Sequence, residues 1–133
     1  MCTVSEIMTR KVLTVAAEAD VHDAAWGLML KGFSGAPVKD ETGRVIGVLS
    51  KSDLIDSHRN PDNHGTVRDT MTPLLLTARS TDPLRTAVRR MVDLGIHRLV
   101  VTDEAGDLVG ILTTMDVLKG LLDGRIDARE FGT

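Results

Sequence analysis

Two short stretches of the chain place the same chemically capable residues at the same spacing. They are GVLSKSD at residues 47–53 and GILTTMD at residues 110–116. Each begins on glycine and runs through two aliphatic residues to a hydroxyl residue, Ser50 or Thr113. An aspartate, Asp53 or Asp116, follows three positions later. At a helix start, that hydroxyl can cap the first turn while the carboxylate sits at the positive helix end. The same carboxylate can also accept hydrogen bonds from two adjacent hydroxyls of a bound ligand, with helix-start N–H groups and the Ser or Thr oxygen facing it. Capping alone and ligand binding both remain open for one copy. Duplication within one framework favours binding.

The elements that must position these turns are themselves duplicated. Shifting the chain by 63 residues without a gap superposes Val4 on Val67, Met8-Thr9 on Met71-Thr72 and Leu13-Thr14 on Leu76-Thr77. It also brings together Gly32 and Gly95, Asp40-Glu41 and Asp103-Glu104, and Gly43 and Gly106. A fixed offset means one supersecondary unit used twice. In the first copy, VLTV (12–15) reads as a strand, and Val21, Ala24, Ala25, Leu28 and Met29 follow the spacing of an amphipathic helix that Gly32 stops. Residues 36–50 read as a hairpin around Gly43, and a short helix follows from Ser50 to about Ser57. The second copy repeats this with a strand at 74–77, a helix at 84–94, a hairpin at 99–112 and a helix from Thr113 to Leu122. The expected class is α/β, with two β-α-β-β-α copies packed through their sheets, since a half of this size buries little core alone. The expected division is 1–57, a polar linker at 58–66, 67–122, and an extension at 123–133 without a counterpart in the repeat.

Composition narrows the function classes. The 133 residues are 42% hydrophobic and 26% charged, an ordinary globular mixture. A net charge of −3, one tryptophan, two phenylalanines and no tyrosine argue against a nucleic-acid partner. No apolar run is long enough for a membrane span, and MCTVSEIMTRK lacks the apolar run of a signal peptide, so a cytoplasmic location is expected. Cys2, the single cysteine, lies in an end expected to fray, with nothing near it to stabilise a thiolate. His58, Asp62 and His64 match no metal-ligand spacing, and no metal site is expected. Met8, Met29, Met71, Met91 and Met115 read as core or cleft lining. No nucleophile–base arrangement or phosphate-cradling glycine loop is present in the sequence, so an enzyme is not expected.

IMT and TMT at the starts of the copies, the aliphatic helix ending in glycine, APVKDETGRVIGVLSKSD and HRLVVTDEAGDLVGILTTMD together resemble a tandem pair of CBS domains, often called a Bateman module. The resemblance covers roughly residues 4–122. It implies a regulatory sensor, similar to the standalone type, that binds AMP, ADP, ATP or adenosyl-methionine in clefts between the two motifs. No cofactor is required, and flat dimers form through the helices. It also implies that Asp53 and Asp116 hold ribose hydroxyls beside Ser50 and Thr113, and that His97 and Arg98 reach phosphate, where arginine's planar fork suits phosphate oxygens. One cleft would join Asp53 and Ser50 with Thr77, Ala78, Ile96, His97 and Arg98. The other would join Asp116 and Thr113 with Thr14, Val15, Phe33 and Ser34, and there Ser34-Gly35 replaces the basic pair, so phosphate is expected to bind weakly.

The paired helices differ as well. Trp26 and Leu30 lie off the core stripe, whereas their counterparts are Arg89 and Asp93. That contrast suggests a homodimer surface at Trp26 and Leu30, with internal packing as the alternative. A ligand-free dimerisation module regulating an unidentified partner protein is the second reading of the whole chain.

Overall fold

The computed structural model describes residues 2–33, 35–50, 53, 65–73 and 76–132. In chain order these form α1 (Val4–Ile7), β1 (Val15–Ala16), α2 (Val21–Leu30), β2 (Gly35–Lys39), β3 (Val45–Ser50), α3 (Val67–Thr70), β4 (Thr72–Pro73) and β5 (Thr77–Arg79). Then come α4 (Leu84–Leu94), β6 (Arg98–Thr102), β7 (Leu108–Thr113), α5 (Thr114–Leu122) and a 3-10 helix at Ala128–Phe131. The α/β class and the repeated order hold. Of the helix expected from Ser50 to Ser57, only Ser50, which ends β3, and the helical Asp53 are among the described residues; the linker histidines lie outside them.

The chain folds as two compact units, Val12–Leu75 and Leu76–Thr133 with Met1–Lys11. Each copy's opening segment therefore belongs to the other copy's unit. In the first unit, α3 docks through Val67 N–H to Ala19 O (2.9 Å) and Arg68 N–H to Ala17 O (2.8 Å). In the second, α1 docks the same way, through Val4 N–H to Asp82 O (2.9 Å) and Ser5 N–H to Ser80 O (3.0 Å). Across the first turn of these short helices, Thr3 N–H donates to Glu6 Oε2 and Thr66 N–H to Asp69 Oδ2, each at 3.2 Å.

The first unit's sheet has the order β1-β2-β3-β4, with β1 parallel to β2 and the other pairs antiparallel. Its core holds Ala17, Leu28, Ala36, Val38, Leu49 and Val67. The second unit's sheet has the order β5-β6-β7, again parallel and then antiparallel. Its core joins Val4, Ile7 and Met8 of the N-terminal segment to Leu84, Ala87, Met91, Leu99, Val101 and Leu112.

Several expectations need correction. Ladder pairing in the first copy covers Val15–Ala16 rather than 12–15. The second copy pairs Thr77 with Val100, and the equivalent first-copy partners are Thr14 and Pro37. Pro37 has no N–H to donate, so that pair does not form and the ladder starts one residue later. The strand expected at 74–77 likewise begins at Thr77 among the described residues. Cys2 is anchored, not frayed, at 6% exposure. Its N–H donates to Glu130 Oε2 at 3.3 Å, and its carbonyl accepts from Leu84 N–H at 2.9 Å. The segment after residue 122 contributes Ile126 to the second core and packs Phe131 against it.

Met8 and Met91 are buried and Met71 packs on the first core, but Met29 and Met115 are exposed. On α2 the inward stripe is Val21, Ala24 and Leu28. Met29 falls with Trp26 and Leu30 at i, i+3 and i+4 on the opposite side. Met115 shares its outward face of α5 with Leu118 and Leu122.

Candidate functional site: two serine- or threonine-capped aspartate turns

In the second unit, β7 runs directly into α5 and Thr113 is the N-cap. Thr113 Oγ1 accepts from Asp116 N–H at 3.1 Å, and Asp116 Oδ2 accepts from Thr113 N–H at 3.0 Å. This reciprocal pair fixes the carboxylate at the start of α5, within the field of the helix N-terminus. The other oxygen, Oδ1, accepts from the Thr9 hydroxyl at 2.9 Å. Thr9 is held by exchanging both backbone hydrogen bonds with Ile111, each 2.9 Å.

The first unit repeats the arrangement. Asp53 Oδ2 accepts from Ser50 N–H and from Ser50 Oγ, both at 3.0 Å. The Thr72 hydroxyl lies 3.2 Å from Asp53 Oδ1 and 3.3 Å from Oδ2. Ser50 Oγ in turn accepts from Asp53 N–H at 3.4 Å, so the exchange between hydroxyl residue and aspartate is present in both copies and orients each carboxylate.

The glycine opening each phrase has a steric cause. A Cβ on Gly47 would lie 2.6 Å from Met71 Sδ and 2.7 Å from Thr72 O. On Gly110 it would lie 2.7 Å from Met8 Sδ and 2.8 Å from Thr9 O. Only glycine lets the Met-Thr segment pass close enough for its hydroxyl to reach the aspartate. The sequence reading did not assign Thr9 or Thr72 a role. Their signal was the Met-Thr pair repeated at the same offset as the turns, but nothing in the linear spacing shows that each reaches the opposite copy.

The second unit also holds the basic pair. His97 O accepts from Thr114 N–H at 3.0 Å, and Arg98 pairs with Thr113 across β6 and β7, which puts both side chains on one face of the sheet. His97 is exposed and Arg98 half-buried. Thr77 and Ile96 are half-buried, and Thr77 O accepts from Arg90 Nη1 at 2.9 Å. Ala78 is fully buried and can offer a ligand only backbone. In the first unit Thr14 and Val15 are half-buried and Phe33 is exposed, while Ser34 lies outside the described residues. The structure thus gathers Asp116, Thr113, Thr9, His97 and Arg98 in one unit, and Asp53, Ser50 and Thr72 in the other.

Among the described residues, no group of three or more His, Cys, Asp or Glu side chains could hold a metal ion. Burial, and then a hydrogen bond to the Glu6 carboxylate, push the Cys2 thiol up to about 11, so it supplies no thiolate nucleophile near neutral pH. No helix of the described residues is long and apolar enough to cross a membrane.

The model of the CBS domain matches residues 4–59 and again 67–123. The chain belongs to the CBS-domain family. An uncharacterised protein of Methanopyrus kandleri is 30% identical over 121 residues, which cover 88% of this chain and 61% of that protein. The first three curated relatives are matched over 61%, 41% and 44% of their lengths, so this CBS pair spans roughly half of them. Among solved structures, CBSX2 of Arabidopsis thaliana in complex with AMP superposes with a TM-score of 0.84 at 32% identity, covering 93% of this chain and 98% of that one. The cytosolic domain of the Mg2+ channel MgtE in complex with ATP gives a TM-score of 0.76 at 31% identity, covering 88% and 48%.

Proposed function

We propose that this CBS pair is a regulatory module that binds an adenine nucleotide, with AMP and ATP the first ligands to consider. Asp53 and Asp116 take the ribose hydroxyls beside Ser50 and Thr113, and His97 and Arg98 meet phosphate. The observation that carries this reading is the state of the Asp116 carboxylate. It is held at a helix start with a single protein donor on each oxygen among the described residues, leaving a further lone pair on each. Two adjacent hydroxyls of a ribose are a fitting pair of donors. Support also comes from the AMP and ATP held by the CBSX2 and MgtE structures.

Binding would regulate by favouring one arrangement of the protein over another. A ligand shifts such an equilibrium only by its difference in affinity for the two states. Self-association through the outward face of α2, where Trp26 is 63% and Leu30 79% exposed, is the accompanying proposal and would persist without ligand.

Thermal-shift measurements with AMP, ADP, ATP, NADH and adenosyl-methionine test the ligand reading. A ligand at a hundred times its dissociation constant stabilises by about 2.7 kcal/mol, a shift of several degrees. The shift is expected to shrink in Asp53→Ala and Asp116→Ala. No shift with any of the five would contradict nucleotide binding and leave the self-association module.

A further inference from the structure

Within the second unit, α4 and the C-terminal extension form a hollow of about 440 Å3. Phe131 of the 3-10 helix and Val88 are half-buried on the second core, and with Val92 they give the hollow an apolar wall. Arg85, Arg89 and Arg90 supply guanidiniums, and among the described residues no acidic side chain lines it. Arg90 is held by its bond to Thr77 O at 2.9 Å, whereas Arg85 and Arg89 are exposed.

The ion pairs among the described residues join Arg68 to Glu18, Arg125 to Asp123 and Arg129 to Asp127, and none involves these three arginines. Acids of the extension have partners of their own, Asp127 in Arg129 at 2.8 Å and Glu130 in Cys2 N–H at 3.3 Å. The basic set is not part of the repeat either. In the first copy the counterparts of Arg85, Arg89 and Arg90 are His22, Trp26 and Gly27, and the extension has no counterpart. A chain of net charge −3 thus concentrates positive charge beside an apolar wall at one place.

We propose that this hollow docks a short acidic segment of another protein, its carboxylates on Arg85 and Arg89 and one apolar side chain against Val88, Val92 and Phe131. Arg85 and Arg89 stand one helical turn apart, about 5.4 Å along the axis, and present two guanidinium forks in a row. Each fork matches a carboxylate through two parallel N–H donors. Carboxylates four residues apart on a helix, or two apart on an extended chain, have a similar spacing. Inorganic polyphosphate would meet the forks alone and leave the apolar wall uncovered. The proposal does not rest on nucleotide binding, because every residue it uses lies in one unit and none belongs to an aspartate turn.

Fluorescence anisotropy of a rhodamine-labelled peptide, Glu-Asp-Phe-Glu-Asp-Glu, provides the test, on the full chain without nucleotide and with each variant's folding checked by circular dichroism. Saturable binding that weakens with added salt is expected. Combining Arg85→Glu with Arg89→Glu is expected to weaken it about tenfold or more. Alanine in place of the peptide's phenylalanine, or Val92→Glu in the protein, should each weaken it about fivefold or more. The charge-reversed protein is expected to bind Lys-Arg-Phe-Lys-Arg-Lys more tightly than the wild type does. Lys31→Glu with Arg44→Glu, an equal change of charge at exposed positions of the other unit, should leave the acidic peptide's affinity unchanged. No saturable binding, or equal losses in the two double variants, overturns the proposal. So does equal binding of the alanine and phenylalanine peptides, or displacement of the probe by an equal concentration of tripolyphosphate or AMP, either of which makes the hollow a general anion site. A wild-type dimer that Arg85→Glu with Arg89→Glu dissociates in sedimentation velocity overturns it as well, by making a second copy the occupant.

Discussion

The two aspartate turns share a frame and differ in what they leave open. Asp116 receives Thr113 N–H on one oxygen and the Thr9 hydroxyl on the other, at 3.0 and 2.9 Å. Asp53 Oδ2 receives Ser50 N–H, the Ser50 hydroxyl and, at 3.3 Å, the Thr72 hydroxyl, which also lies 3.2 Å from Oδ1. A carboxylate offers about four lone-pair sites. Counting donors among the described residues, Asp116 therefore keeps one on each oxygen, whereas Asp53 keeps one on Oδ1 only, until the Ser50 hydroxyl turns away. The hydroxyl residue that opens the turn thus also sets how much of the carboxylate is left for a further donor. Repetition of a motif does not make two equal sites.

The units also differ in how they are completed, and the largest effect follows from that. Deleting residues 2–10 removes Val4, Ile7 and Met8 from the second core, and each such loss costs about 2–5 kcal/mol. Hydrogen exchange is expected to show β5, β6 and β7 losing protection while β2 and β3 keep theirs. Loss confined to β2 and β3 would refute the exchange of opening segments.

Alanine at the phrase glycines should cost less. Gly47→Ala and Gly110→Ala each force a Cβ against backbone oxygen at 2.7 or 2.8 Å, an overpacking cost of about 1–3 kcal/mol. Urea unfolding is expected to show similar losses for the two, and a neutral result for either would show that its Met-Thr segment does not pass so closely.

Removing the threonine hydroxyls sharpens the carboxylate comparison. Thr9→Val and Thr72→Val should each destabilise by about 1 kcal/mol. Titration with AMP should show Thr72→Val binding no more weakly than wild type, because it returns acceptor capacity to Asp53. A marked loss of affinity would make Thr72 a ligand contact.

A separate effect concerns Cys2. With its thiol pushed up to about 11 from 9.0, maleimide labelling at pH 8 should be about a hundredfold slower than for an open thiol. Between pH 9 and 11 the unfolded chain releases a proton that the folded chain keeps, so this group's contribution to stability is lost as pH rises. Labelling at the rate of an open thiol would mean that the N-terminal segment is not docked.

Much of this architecture is legible in the chain because its signals are local. The periodicity of α4, the glycine turns of the hairpins and the hydroxyl three residues before each aspartate all act within a few positions. The pairing of Thr9 with Asp116, 107 residues apart, leaves no such trace. Nor does the anchoring of Cys2 by Glu130, which depends on an extension with no counterpart in the repeat. The shortened β1 was readable in principle, since Pro37 stands where the second copy has Val100. The outward turn of Met29 was hidden because it fits the helical template as well as the residues that point inward.

The central claim, that the two carboxylates hold a ribose through its adjacent hydroxyls, is tested most directly by calorimetry with AMP and 2′,3′-dideoxy-AMP. Hydrogen bonds to a charged group are worth about 1.5–3 kcal/mol, so the wild type is expected to bind AMP roughly tenfold or more tightly than the dideoxy analogue. That preference should vanish when Asp53→Ala and Asp116→Ala are combined. Equal binding of the two nucleotides by the wild type, or a preference for AMP that survives the double substitution, would contradict it.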